Sequence, residues 1–416
     1  MTMQVSQDFA PPFKLIVPYF LIGVFSFLFC TMYLFGININ ELHFLNPNVL
    51  SLVHMFLLSF VMMIIFGAMA QLIPVTLEVG NYCLKLYYII YPLLSLGTVL
   101  MVFGFSFHIL LPFGGLFVLM AMALFIFEFF ATIKKVKKFN NIIKSLVLAH
   151  IFLFFGLLIG ISLSLGYAGL INIDMFSFLK AHVYLLLLGY VCILIMALAL
   201  VLMPMFSLSH NFSKTPTNFA VSSLGIAVLL LVYASLFDLV SLSIFAYGLS
   251  ILALLSFFYQ CYILYNTRVK KHLDIYVKFL FVSFYSLLAS IVLFIIYFYQ
   301  NMQQYLLAAG FLLFFGFFAF LIIAHIYKIV PFLVWFDKFA PLVGKEKVPM
   351  LKDIVPQKSA SFQFYFALIG LNICTLALIL SSNSLFKIGT SFLVIASLYF
   401  CANLIYMIRF SHVHKK

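Results

Sequence analysis

Charge is scarce in this chain. Only 8% of its 416 residues are Asp, Glu, Lys or Arg, the acids number ten, and 66% of the sequence is hydrophobic, with mean hydropathy +1.23. A soluble domain of this length cannot cover so much apolar surface, so a water-soluble globular protein is excluded. There is no CxxC pair. Six cysteines (Cys30, Cys83, Cys192, Cys261, Cys374, Cys401) lie in or beside apolar runs and read as small buried hydrophobes, not as disulfides or zinc ligands. Without HExxH there is no zinc-protease core of the usual membrane type, and neither a Walker A sequence nor GxSxG is present. Residues 1–12 lack a basic n-region followed by a cleavage site, so no removable signal is expected. No low-complexity run and no soluble domain interrupts the sequence. The net charge of +13 has no aromatic-basic groove behind it, which argues against nucleic acid as a partner.

What the chain does have is apolar runs long enough to cross a hydrocarbon core of about 30 Å. They predict twelve helical spans, at roughly 13–36, 47–75, 82–107, 109–132, 145–167, 177–204, 217–237, 240–265, 276–299, 304–330, 361–381 and 386–408. Helices are required, because in lipid each backbone donor and acceptor must find its partner within its own segment.

One pattern occurs three times. Leu57-Leu58-Ser59-Phe60 leads to Pro74, Leu187-Leu188-Gly189-Tyr190 to Pro204, and Phe314-Phe315-Gly316-Phe317 to Pro331. Each copy runs from a small residue through fifteen positions of apolar sequence to its proline, and the prolines stand 130 and 127 residues apart. A period that long suits a group of several membrane helices. The patterned segments are numbers 2, 6 and 10, which divides twelve spans into three parallel groups of four, at about 1–135, 136–267 and 268–416 within one polytopic domain.

Lysine and arginine set the orientation. They crowd the 4–5 loop (Lys134, Lys135, Lys137, Lys138, Lys144), the 8–9 loop (Arg268, Lys270, Lys271), the 10–11 loop over residues 335–357, and the C-terminus. Only Lys180 and Lys387 fall on the other side, so both termini are expected in the cytoplasm of a bacterial-type inner membrane. The positive side faces anionic headgroups, making the bilayer itself a partner. The 10–11 loop, rich in proline and mixed charge, is expected to be solvated.

The histidines then acquire depths. His54 stands 20 residues before Pro74 and His182 stands 22 before Pro204, which puts both near the outer surface; the third copy has Ala309 and Phe311 at those offsets. His325 is six residues before Pro331, about 21 Å deeper than His54 at 1.5 Å per residue. One metal cannot take ligands from both, because metal–nitrogen bonds are about 2 Å long.

The stretches His54-Met55-Phe56…Ile73-Pro74 and Ala181-His182…Gly189-Tyr190…Met203-Pro204 resemble helices 2 and 6 of haem-copper oxidase subunit I, in its cbb3-type and nitric-oxide reductase branch. In that family helix 2 carries a low-spin haem histidine and helix 6 a copper histidine. The family has twelve helices in three groups of four, so the resemblance implies an all-α, pseudo-threefold membrane fold, with His54 and His182 as its surviving metal or cofactor ligands. Most of the ligand set is missing. Where the family's helix 10 has His-x-His, this chain has Tyr305-Leu306-Leu307-Ala308-Ala309-Gly310, and its helix 7 ends in Ala234-Ser235-Leu236-Phe237-Asp238. A binuclear oxygen-reducing centre needs several nitrogen ligands, so terminal oxidase activity is not expected. Divergent NnrS-like membrane proteins are the nearer comparison.

Two readings follow. Either a reduced site keeps haem b or copper for a respiratory or nitric-oxide-response role, or the scaffold works cofactor-free as a transporter, channel or assembly factor, with small membrane-protein partners. Each candidate also has a plainer reading. His54 is an axial ligand or a packing residue at the outer end of segment 2. His182, with Lys180 and Asp174, is a polar site or an interfacial cluster. His325 is a ligand candidate or answers a helix C-terminal dipole. Glu128, inside Phe127-Glu128-Phe129-Phe130, is functional by default as a charge within a span, or else it snorkels to the nearby loop.

Overall fold

The computed structural model describes residues 11–411; the His412-Val413-His414 tail lies outside them. Among the described residues, twelve helices are long and apolar enough to cross a membrane: α1 (Phe13–Gly36), α2 (Pro47–Leu77), α3 (Leu84–Gly104), α4 (His108–Ile133), α5 (Asn141–Tyr167), α6 (Met175–Ser207), α7 (Thr215–Leu236), α8 (Val240–Asn266), α9 (Ile275–Gln300), α10 (Gln303–Lys338), α11 (Gln357–Ile379) and α12 (Asn383–Arg409). No named strand occurs among the described residues, as expected where every backbone group must be satisfied within its own segment.

The three patterned helices share a backbone feature that apolar periodicity does not reveal. Each begins as α-helix, turns π-helical across the small-aromatic step, and returns to α-helix. The π segments are Met55–Met62 in α2, Tyr184–Cys192 in α6 and Leu312–Phe318 in α10. In each case the preceding span packs on the π segment: α1 in the first copy, α5 in the second, α9 in the third. The small residue has a direct cause. A Cβ on Gly189 would stand 2.9 Å from the Phe152 ring of α5, and one on Gly316 would stand 2.5 Å from Ser286 Cβ of α9.

Pro74, Pro204 and Pro331 lie inside their helices, not at the exits. The correction is largest for α10, which was expected to stop near residue 330 and continues to Lys338. A proline removes one backbone donor, and membrane helices tolerate it because the freed carbonyl is satisfied by neighbours. The 10–11 connection is therefore shorter than expected, and it is docked. Trp335 Nε1 donates to Pro349 O at 2.8 Å, and Ile354 is fully buried.

The described chain forms two compact units, one of Leu72–His272 and one of Pro11–Gln71 with residues 273–411. The division falls inside α2. In the first unit α3 and α4 form a tight hairpin and α7 and α8 another; in the second, α11 and α12 do the same. The second unit also holds an aromatic cluster in which Phe27 of α1, Phe56 and Phe60 of α2 and Phe315 of α10 meet, with ring centroids 4.7 to 6.2 Å apart. Lys387 of α12 donates to Phe35 O and, at 2.6 Å, to Ile37 O, tying α12 to the end of α1.

Candidate functional site

Four histidines within the spans make the same kind of contact. Nδ1 faces a backbone carbonyl oxygen in each: Leu50 for His54 (2.8 Å), Leu146 for His150 (2.7 Å), Gly156 for His182 (2.9 Å) and Leu321 for His325 (2.7 Å). A carbonyl oxygen only accepts, so Nδ1 carries the proton, and neutral imidazole then presents a lone pair at Nε2. Metal-binding histidines usually show this arrangement, and so do histidines that simply satisfy a helix carbonyl.

The surroundings differ from one to the next. His54 bonds its own helix, immediately before the π segment of α2. His182 reaches across to α5, where its ring lies against Gly160; a Cβ there would stand 2.7 Å from His182 Cε1. Gly156 and Gly160, four apart on α5, form the groove that receives α6, as small-xxx-small pairs do in membranes. The three residues expected to form an outer-face polar site have separate engagements. Asp174 caps α6 through the amides of Phe176 (3.1 Å) and Ser177 (3.2 Å), and a hydrogen bond from the Ser177 side chain, with these amides, holds its carboxyl below the usual carboxylate range. The ammonium of Lys180 lies 4.7 Å from the centre of the Phe176 ring. His54 belongs to one compact unit and His182 to the other.

His325 does not sit at a helix end, because α10 runs on to Lys338. Its ring meets Tyr276 edge-on at 5.4 Å. Beside them Lys328 pairs with Asp274 at 2.7 Å, and Asp274 also caps α9 through the Val277 amide.

Glu128 does not snorkel. It is fully buried, and its carboxylate accepts from the Tyr82 amide (3.0 Å), the Thr132 hydroxyl (2.9 Å) and the Tyr87 hydroxyl (3.3 Å). Lys135 closes the same corner by donating to Gly80 O and Asn81 O at 3.1 and 3.2 Å. Burial without a cation partner is tolerable here because the loop amide and two hydroxyls replace the lost water. The residue clamps the α2–α3 connection onto α4.

A buried polar cluster lies among α10, α11 and α12, where the apolar pattern gave no expectation of a site. Tyr327 of α10 donates to Gln363 Oε1 of α11. Asn403 of α12 donates to Tyr327 Oη at 2.7 Å and to Gln363 Oε1 at 3.2 Å, and accepts from Ser359 Oγ at 2.5 Å. The first three are each at least 98% buried. A glutamine and an asparagine inside otherwise apolar spans were the available signal.

The oxidase resemblance would put a haem between α2 and α10. Those helices meet there ring on ring: Phe56 stands 5.6 Å from Phe314 and 5.2 Å from Phe315, two positions along from His54. Across the gap the α10 positions that would supply the second ligand are Ala309 and Phe311. These residues do not fit a bis-histidine haem. Among the described residues no group of three or more His, Cys, Asp or Glu is gathered to hold a metal ion. No protein-family model matches the chain, and no curated protein matches it.

Proposed function

We propose that the chain is a cofactor-free membrane transporter or channel for a small uncharged solute, built on an oxidase-subunit-I-like plan. The observation that carries this reading is the closure of the α2–α10 space by Phe56, Phe314 and Phe315. The solute class follows from the buried polar groups. In one unit they include His150 and Tyr190, and in the other Tyr327, Gln363 and Asn403, while the buried carboxylate of Glu128 is committed to a loop. The histidines within the spans hold Nδ1–H on backbone carbonyls as neutral imidazoles, which suits an uncharged solute. The interrupted helices α2, α6 and α10 are the candidate moving parts, since π segments often accompany functional positions in helices. Their shared α–π–α order supports a pseudo-threefold plan of four-span groups.

The test is twofold. Vesicles reconstituted with the protein should shrink and reswell with glycerol or urea faster than empty vesicles, and the purified protein, made with haem available, should show no Soret band. A second reading keeps a five-coordinate haem iron on His54, favoured by the resemblance of the His54…Pro74 stretch to a haem-bearing helix. A Soret band lost in His54→Ala and kept in His325→Ala would establish that reading in place of the first.

We also propose that both termini and the 10–11 loop face the cytoplasm of a bacterial-type inner membrane, on the strength of the lysine and arginine asymmetry. Single cysteines placed at Lys270 and Lys347 should resist an impermeant thiol reagent applied to intact cells. Efficient labelling from outside would reverse the orientation.

A further inference from the structure

We infer that His150 and Tyr190 form a buried binding point for one small neutral protic molecule, water being the smallest, inside the Leu72–His272 unit. The inference rests on side-chain chemistry and does not depend on transport. His150, on α5, is fully buried, and Tyr190, in the π segment of α6, is 1% exposed. Their rings meet edge-on, with centroids 5.8 Å apart and planes at 82°. Since His150 Nδ1 donates to Leu146 O, its Nε2 is an acceptor. That Nε2 and the Tyr190 hydroxyl are both buried without a hydrogen-bond partner among the described residues.

The rest of the ring's surroundings explains why the partner is neutral. His150 lies parallel to Phe129 at 3.7 Å, is stacked on Phe125 at 5.4 Å, and is met edge-on by Phe130 at 6.4 Å. Phenylalanine rings supply neither a counter-charge nor a hydrogen bond, and Phe129 and Phe125 are stacked on the imidazole itself, so little here offsets the desolvation of an ion. A molecule that donates to Nε2 and shares a second hydrogen bond with the phenol satisfies both atoms at once, as buried waters do.

The hydroxyl is also not required by the repeat. The positions matching Tyr190 in the other two copies are Phe60 and Phe317, both fully buried rings in the same backbone setting. The second copy alone carries a phenol there, and it is the copy whose ring faces a histidine.

A cryo-EM map of the full chain in lipid nanodiscs, at a resolution that shows ordered water, tests this directly. The expected result is a peak within about 2.6–3.2 Å of both Nε2 and Oη. A compact peak identifies water and an elongated one a larger protic solute. Direct contact between Oη and Nε2, or no peak between them, overturns the inference. Thermal unfolding gives an independent sign. Tyr190→Phe should lower the midpoint in the parent chain and raise it in a His150→Phe background, where the ligand has lost its acceptor and the phenol is left unsatisfied. Two isolated unsatisfied groups would behave differently: Tyr190→Phe would raise the midpoint by the same amount in both backgrounds.

Discussion

Asn403→Leu is expected to destabilise the fold by about 3 kcal/mol, a large effect for one near-isosteric change in a membrane helix. A single interhelical hydrogen bond in a membrane averages about 0.6 kcal/mol and reaches about 1.7. Asn403 makes more than one. Its Nδ2 serves Tyr327 Oη and Gln363 Oε1, and its Oδ1 takes the Ser359 hydroxyl. Leucine would leave three partners on α10 and α11 short of a hydrogen bond in a nearly dry interior. Tyr327 and Gln363 keep the bond between them but each loses one to Asn403, and a buried group left short costs about 1–3 kcal/mol, so the penalty exceeds the bonds removed. The contrast that isolates this cause is Tyr327→Phe, Gln363→Leu and Asn403→Leu made together. The triple variant replaces most of the network with apolar groups and should lose less stability than Asn403→Leu alone. Unfolding in mixed micelles measures both. A triple variant weaker than the single one would mean that packing, not orphaned polarity, sets the cost.

Gly114→Leu should yield no folded, monodisperse protein. A Cβ at position 114 would lie 2.7 Å from the backbone nitrogen of Met101 and 3.0 Å from Gly97 O. In return, a Cβ on Gly97 would lie 2.8 Å from the backbone nitrogen of Val118. The α3 and α4 backbones touch at these two glycines, and backbone cannot swing aside as a side-chain tip can. Overpacking a well-filled interior typically costs about 1–3 kcal/mol, and a leucine forced between two helix backbones goes beyond that range. Gly248, in α8, is the internal control, because nothing lies within 4 Å of its Cβ position. Gly248→Ala should gain about 0.5–1 kcal/mol through helix propensity alone. Size-exclusion profiles after stepwise heating would rank the two. A Gly114→Leu chain that elutes and melts like the parent would refute the proposed helix contact.

The sequence by itself determined what depends on local composition. Apolar length located twelve spans to within a few residues at most ends, because hydrophobic thickness is a property of a single segment. The repeated small-aromatic step was also legible, at Ser59, Gly189 and Gly316, as a pattern without a shape. Tertiary structure decided the shape and the partners. It made each step π-helical, carried α10 through Pro331, turned His182 onto the Gly156 carbonyl, and closed Glu128 over the α2–α3 loop. It also joined Tyr327, Gln363 and Asn403 across separations of 36, 40 and 76 residues. The physical reason is the same in each case. In a nearly uniform apolar chain, burial is cheap almost everywhere and specifies little. Polar groups and glycines fix the arrangement, and each acts through a neighbour on another helix that no local stretch of sequence names.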